Sequence, residues 1–198
     1  MDEKIDTLRG YVNDMLAVER DLHQAFRRHK DDKTTKTYPQ TAAALQQIED
    51  RIDVHVASLE RQLQRLGTAE SPVKAAVGAV LGAVAGVYGK IRDDRVSRML
   101  RDDYTALCFA TACYEMLHTT ALSLGHGEVA NLALSHLRDY APAVMAIAQL
   151  MPEVITDELT REGKMSGNGS IARLAAKNVQ EAWQQGSPER FGTQEARP

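Results

Sequence analysis

Apolar residues recur at intervals of three or four positions through four long stretches of the sequence, and this spacing restricts the fold more than any other feature. In the first stretch the series runs Ile5, Leu8, Val12, Met15, Leu22 and Phe26. Residues at these intervals share one face of an α-helix, and that face must be buried against other helices. The pattern predicts helices at about 3–32, 39–66 and 93–124, with a fourth from Val129 to Val154 and a short fifth after residue 170.

Composition supports a fold made of helices alone. Aromatic residues make up only 5% of the 198 residues, whereas sheets depend on aromatic and β-branched surfaces. With 43% hydrophobic residues, a chain of this length can bury one substantial core. Pro142 and Pro152 lie inside the fourth segment. Because proline removes a backbone donor, they predict a helix that is kinked or divided into two pieces.

The turns between the segments predict how the helices are connected. Tyr38-Pro39 starts the second helix soon after the first, and Gly125-His126-Gly127 separates the third from the fourth, so two antiparallel hairpins are expected. Two hairpins joined by a long connection form the ferritin-like topology, in which helices 2 and 3 are parallel. We therefore predict an all-α fold, a ferritin-like antiparallel four-helix bundle at residues 1–160 with a long Gly/Ala-rich helical crossover at 68–92. A linker (161–170), a short C-terminal helix (171–185) and a disordered tail (186–198) are expected to follow.

The expected crossover contains an uncharged run, residues 75–89, with Gly78, Gly82 and Gly86 four positions apart. Glycines at this spacing let two helices approach closely, as they do in membrane helix pairs. The run is about 15 residues long, and a bilayer needs roughly 20. Packing against the bundle or against a second subunit is therefore favoured over membrane contact.

Charge and cysteine content restrict the partners and the compartment. The net charge of −3 gives the protein no general attraction to nucleic acid. Cys108 and Cys113 are placed on one helix so that they cannot bond to each other, which is typical of a reducing compartment. The opening Met1-Asp2-Glu3-Lys4 has no apolar signal core. We expect a cytoplasmic homo-oligomer, a dimer, that binds no nucleic acid.

Polar residues within the apolar stripes indicate where chemistry could take place. Glu19 interrupts the stripe of helix 1 and His55 that of helix 2, and counting residues from the turn near position 36 puts both at about the same height. At that height the other two helices are expected to present Cys108, Thr111 and Tyr114 (helix 3) and His136, Asp139 and Tyr140 (helix 4). The Glu-x-x-His motif typical of di-metal bundles is present once, at Glu115 and His118, one to two turns away.

Two interpretations of these residues stay open. In the first, Glu19 is a buried carboxylate that is hydrogen-bonded to His55 or to a tyrosine, and no cofactor is needed. In the second, the side chains bind iron or manganese, and the candidate ligands are Glu19, His55, His136, Asp139, Glu115 and His118. A di-metal centre requires about four carboxylates, and inward-facing carboxylates are scarce here.

Residues 21–26 read Asp-Leu-His-Gln-Ala-Phe, a second segment runs from His55 to Gly67, and Leu124-Gly125 leads into residues 136–140, His-Leu-Arg-Asp-Tyr. These three segments resemble the YciF-like ferritin-fold proteins, which are bacterial stress-associated four-helix bundles of largely unassigned function. The family has E-L-H-Q-A-E, H-x-x-x-x-E-x-Q-x-x-R-L and T-L-x-E-E at the corresponding places. The resemblance covers about residues 5–155. It carries over His55, Asp139 and Glu19 as ligand positions, but Phe26 stands where the family has a glutamate. Likewise, Leu107-Cys108-Phe109-Ala110 stands in place of the family's E-H-Y-E.

These departures shape the function expected from the sequence. The resemblance implies a ferritin-like bundle in which the di-metal centre is degenerate or absent, acting as a structural, stress-associated protein rather than as a catalyst. The alternative is a di-iron or di-manganese oxidoreductase, or a metal-storage protein, with an atypical site.

Overall fold

The computed structural model describes residues 3–67, 95–166 and 169–186. Every regular element within these ranges is a helix, so the predicted all-α helical bundle is confirmed. The helices are α1 (Glu3–Asp31), α2 (Pro39–Arg65), α3 (Val96–Ser123), α4 (Gly127–Arg161) and α5 (Gly169–Gln185), with a short 3₁₀ turn at Thr35–Thr37. The bounds of α1, α2 and α3 agree with the sequence prediction to within three residues.

Local chemistry explains where the first two helices end and begin. A carboxylate oxygen of Asp32 accepts backbone hydrogen bonds from Thr34 at 2.7 Å and Thr35 at 3.2 Å, which closes the turn after α1. Pro39 then occupies the first turn of α2, where its missing N–H costs nothing because that group has no partner within a helix. α1 and α2 therefore form the hairpin that the sequence predicts.

Pairs of contacts along the helices give their directions. Arg9 on α1 bonds to the carbonyl of Leu66 just after α2, and Glu19 on α1 meets His55 on α2, so rising numbers on one helix face falling numbers on the other. The same opposition holds between α1 and α3, where Glu19 meets Tyr114 and His29 meets Asp103. α1 is thus antiparallel to both α2 and α3.

The fourth helix has the same relation to its two neighbours. His136 and Asp139 on α4 meet Ser58 and His55 on α2, in reversed order. Against α3, the pairs are His136 with Tyr114 and Ala130 with His118. Since α4 is antiparallel to α2 and α3, and α1 is as well, α2 and α3 are parallel. This is the direction that two hairpins joined by a long crossover require.

The predicted division of the fourth helix is wrong, because α4 continues through both prolines from Gly127 to Arg161. Pro142 has no N–H to donate to the carbonyl of Arg138, four residues earlier. Both residues are exposed, so water can bond to that carbonyl instead. Tyr140 and Ile147, on either side of Pro142, are fully buried. Apolar burial on both sides of the proline outweighs the loss of one backbone hydrogen bond.

The chain consists of two structural units, residues 1–147 and 148–198, and the boundary between them lies within α4. The predicted crossover at 68–92, including the uncharged run at 75–89, lies outside the described residues, as does the predicted tail beyond residue 186. Among the helices that the structure does describe, none is long and apolar enough to cross a membrane.

Glycine closes the α3–α4 hairpin and gives a first prediction. Gly125 has a φ of +75°, a conformation that costs other residues about 1–2 kcal/mol, and no atom lies within 4 Å of where its Cβ would stand. We therefore expect Gly125→Ala to destabilise the fold by about 1–2 kcal/mol through the backbone alone. Gly10, inside α1 and equally open, is the matched control, since Gly10→Ala should stabilise by about 0.5–1 kcal/mol. Urea unfolding of the two variants should show these opposite signs.

Candidate functional site

Five buried polar side chains, which come from four helices, meet at the centre of the first unit. We call this group the core cluster: Glu19 (α1), His55 (α2), Tyr114 (α3), and His136 and Tyr140 (α4). Each of the five occupies an inward position in the apolar stripe of its helix, and all are buried. Burial of so many polar groups is tolerated only when they satisfy one another.

Glu19 is the acceptor at the centre of the cluster. Its Oε1 accepts hydrogen bonds from the Tyr114 hydroxyl and from Nδ1 of His55, the latter at 3.1 Å. Its Oε2 accepts one from the Tyr140 hydroxyl. Both carboxylate oxygens therefore have protein donors, which compensates for their removal from water.

The two tyrosines stay protonated in this setting. Burial raises the pKa of Tyr114 and of Tyr140 well above the ordinary value of 10, and the nearby charge of Glu19 acts in the same direction. A phenolate next to a carboxylate in a dry interior would be strongly unfavourable. Both hydroxyls thus act as donors to Glu19 over the whole ordinary pH range.

The proton order in the cluster fixes the tautomer of His136. Because the Tyr114 proton goes to Glu19, the Tyr114 oxygen accepts from Nδ1–H of His136 at 2.8 Å. Burial lowers the pKa of His136 to about 3, and the neighbouring His55 lowers it further, so the ring is neutral. Its Nε2 then carries a lone pair and lies 2.9 Å from the Ser58 hydroxyl, whose one proton has the His55 carbonyl oxygen as a second acceptor, also at 2.9 Å.

His55 lies between two carboxylates. Its Nδ1 faces Glu19, and its Nε2 is 3.2 Å from an oxygen of Asp139. A neutral imidazole has a single N–H. When Glu19 and Asp139 are both ionised, the two contacts can both be hydrogen bonds only if both ring nitrogens of His55 carry protons. The ring stacks on His136 with 3.9 Å between centroids and 14° between planes. Asp139, with 35% of its side chain exposed, connects the cluster to solvent.

The structure brings four of the six predicted ligand residues together. Donor atoms of Glu19, His55 and His136 all lie within 4.8 Å of one another, and Asp139 contacts this group through His55. The prediction that Glu19 pairs with His55 or a tyrosine is confirmed, and it pairs with both kinds of residue.

Glu115 and His118 do not join the group. Glu115 is exposed, because it follows the inward-facing Tyr114 and is rotated by about 100° around α3. His118 is half-buried, and its Nδ1 bonds to the Ala130 carbonyl at 2.8 Å. The other two residues expected from helix 3 also stay apart from the cluster. Cys108 is a half-buried free thiol beside Tyr104, and the Thr111 hydroxyl bonds to the Leu107 carbonyl of its own helix at 2.8 Å.

The residues present do not fit a di-metal centre. Such a centre takes a glutamate from two helices and a Glu-x-x-His pair from each of the others. The core cluster instead offers one buried carboxylate and two imidazoles, and α3 contributes a tyrosine. Two histidines and one carboxylate are a donor set for a single divalent ion. Such an ion would have to replace the protons that now link Glu19 to its neighbours.

Sequence reasoning missed several polar groups of the interior, among them Ser58 and Asp103. Ser58 lies three residues after His55 and so on the same face of α2, which is the signal that could have identified it. Asp103 lies between Leu100 and Leu107 in the buried stripe of α3, and His29 bonds to it at 2.7 Å. Burial raises the pKa of Asp103 despite this bond, and its second carboxylate oxygen has no hydrogen-bond partner.

Fold and site together define an all-α helical bundle with a buried cluster of hydrogen-bonded acid, imidazole and phenol groups at its centre. The chain belongs to the family described as a domain of unknown function (DUF892), whose model matches residues 5–160.

The chain is similar to the crystal structure of a protein (XCC3681) from Xanthomonas campestris pv. campestris, at 17% identity and a TM-score of 0.66. The match covers 81% of this chain and 99% of that one. At this identity the likeness shows the fold alone. No curated protein matches the chain.

Proposed function

We propose that this protein is a ferritin-like bundle of the cytoplasm that acts as a structural, stress-associated oligomer rather than as a catalyst. The core cluster takes the place of a di-metal centre. The observation that carries the proposal is the hydrogen bonding of Glu19, whose two oxygens are both satisfied by protein donors. The stress association rests on the resemblance of residues 21–26 and 55–67 to the YciF-like proteins.

Burial of the reactive groups supports a role without catalysis. Glu19, His55 and both tyrosines of the core cluster are fully buried, so a substrate cannot reach them without separating the helices. Asp139 and Ser58, which are both partly exposed, lie between the network and solvent, where Asp139 contacts His55 and Ser58 contacts His136. A closed network of this kind favours one arrangement of the four helices over alternatives, since every misregistered packing would leave buried polar groups without partners.

A second candidate function is a metal-dependent oxidoreductase or a metal store with an atypical site for iron or manganese. It is favoured by the convergence of donor atoms from Glu19, His55 and His136. Asp139 would then hold the His55 ring in place through Nε2, which is the common arrangement of a carboxylate behind a ligand histidine. A bound ion would supply the activation of dioxygen or peroxide.

Metal content measured on protein purified without a His-tag separates the two functions. We expect less than about 0.1 iron or manganese ion per chain, both as isolated and after anaerobic loading with Fe²⁺ or Mn²⁺ followed by desalting. We also expect no change in thermal stability on loading, since an ion at a hundred times its Kd would add about 2.7 kcal/mol to the folded state.

The matched variants are Glu19→Gln in the core cluster and Glu60→Gln on the surface of α2. Near-stoichiometric metal that is lost in Glu19→Gln and kept in Glu60→Gln would replace the structural proposal by the second one.

A further inference from the structure

A second buried acid lies outside the core cluster and is less well satisfied than Glu19. Asp103 on α3 lies in the apolar stripe between Leu100 and Leu107, and only 1% of its side chain is exposed. Its Oδ1 bonds to Nδ1 of His29 on α1 at 2.7 Å, whereas its Oδ2 has no hydrogen-bond partner within the described ranges. A buried carboxylate with one free oxygen adds little to stability, so stability does not explain its place in the stripe.

Asp103 determines the form in which the His29 ring is presented. A carboxylate is a weaker base than an imidazole, so the proton of their hydrogen bond is on Nδ1, and in the neutral ring Nε2 carries the lone pair. The His29 side chain is 12% exposed, and Nε2 lies at the surface, 3.4 Å from Nη2 of Arg28. The buried acid thus orients an imidazole lone pair towards solvent, which is the arrangement of an activated histidine nucleophile.

The surface around Nε2 favours an anionic reactant. Residues 27–36 include five basic and two acidic residues, in a chain whose net charge is −3. Arg27, Arg28 and Lys33 are exposed, and none of the three forms a salt bridge with a residue that the structure describes. Arg28 already lies against Nε2, and its planar guanidinium matches the oxygens of a phosphoryl group.

We propose that His29 is a phosphoryl-accepting residue, whose Nε2 attacks the phosphorus of a small acyl phosphate bound by Arg28. The N–P bond forms as the P–O bond to the carboxylate leaving group breaks, and the carboxylate takes the electron pair of that bond. Nδ1 keeps its proton, so the ring gains a positive charge, which the Asp103 carboxylate stabilises from 2.7 Å away in the desolvated interior. This modification goes beyond the proposed structural role and uses no residue of the core cluster.

A metal ion fits this position less well than a phosphoryl group. A carboxylate behind a histidine also occurs at metal sites, but an ion needs further ligands. Within the part of the chain that the structure describes, the three donor side chains that converge closely enough are those of the core cluster, and His29 is not among them. The cationic side chains near Nε2 would also repel an ion.

The first test compares two histidines of the wild-type chain. The full protein is treated with acetyl phosphate near neutral pH, and phosphorylation of each histidine is followed by mass spectrometry under alkaline conditions, in which phosphohistidine persists. His23 is the matched control, because its Nε2 also faces an acid, the exposed Asp53, at 3.1 Å.

We expect His29 to react at least about tenfold faster than His23, because the charge of a buried acid acts more strongly than that of an exposed one. Exposure alone predicts the opposite order, since the side chain of His23 is 28% exposed and that of His29 12%. A rate at His29 that is no higher than that at His23 overturns the proposal.

Two variants separate the roles of the neighbouring side chains. Asp103→Asn keeps an acceptor for Nδ1–H but removes the charge, so it should slow the reaction at His29 at least about tenfold and leave His23 unchanged. Arg28→Gln should slow the reaction with acetyl phosphate but not that with diethyl pyrocarbonate, which is an uncharged histidine reagent. Arg20→Gln, elsewhere on α1, should change neither rate. Full reactivity in Asp103→Asn, or equal slowing with both reagents in Arg28→Gln, would contradict the assignment.

The nitrogen that is phosphorylated tests the geometry directly and requires no variant. Phosphorus NMR distinguishes the two products, and in the wild type the phosphorus should be on Nε2, because Asp103 covers Nδ1. Phosphorus on Nδ1 would show that Asp103 does not hold the ring, and the proposal would be wrong. Since none of these measurements involves the core cluster, they can fail while the structural role stands.

Discussion

Replacing Glu19 by alanine is expected to lower the free energy of unfolding by about 3–5 kcal/mol, since the change leaves His55 and two tyrosine hydroxyls buried without their acceptor. Urea unfolding at neutral pH, followed by circular dichroism, measures the loss. Tyr140→Phe should cost less in the Glu19→Ala background than in the wild type, because the acceptor of the Tyr140 hydroxyl is already missing there.

Glu60→Ala is the matched control for this loss. Glu60 accepts from Arg20 at 2.7 Å, but both side chains are more than a third exposed, so this pair is expected to contribute no more than about 1 kcal/mol. If Glu19→Ala costs no more than Glu60→Ala, the core cluster does not stabilise the bundle. The argument for a structural role would then lose its support.

Acid is expected to destabilise the fold through His136. The pKa of this side chain falls from an ordinary 6.5 to about 3 in the folded protein. Between these two pH values His136 takes up a proton in the unfolded state and stays neutral in the folded state. The stability associated with the neutral ring is complete above pH 6.5 and is lost as the pH falls from there towards 3. Between pH 7.5 and 4.5 the loss from this group should be about 2–3 kcal/mol.

His136→Gln isolates this contribution from the other groups that titrate in acid. Glutamine is polar and does not ionise, so the difference in unfolding free energy between the wild type and the variant should shrink by about 2–3 kcal/mol between pH 7.5 and 4.5. Parallel pH profiles for the two proteins would contradict a buried neutral histidine at this position.

Part of the candidate site could be predicted from position alone. Glu19 and His55 interrupt apolar stripes, and a residue in a stripe must face inward once the stripe is buried. Similar distances from the turn near residue 36 predict that they lie at about one height, and Nδ1 of His55 is 3.1 Å from Oε1 of Glu19. The same reasoning identified His136, Asp139 and Tyr140 on the fourth helix.

Other features depended on information that the spacing does not contain. Glu115 and His118 form a ligand motif in the sequence, but the rotation of α3 is set by its whole buried stripe, which turns Tyr114 inward and Glu115 outward. Pro142 predicted a break in the fourth helix, because the tendency of proline to end a helix takes no account of the residues buried on both sides of it. Asp103 lies in the apolar stripe and was not singled out, although His29 covers it from α1.

The sequence by itself determined the helices, their order and the inward position of one acid and two imidazoles, because the period of apolar residues is a local property of each segment. Only the tertiary structure decided which atom of each side chain bonds to which, and therefore that Glu19 is satisfied by Tyr114, Tyr140 and His55 at once. Hydrogen bonds depend on the rotation and the height of four helices to within a fraction of an ångström. Those quantities are set jointly by all the side chains that pack in the core, and no single segment contains them.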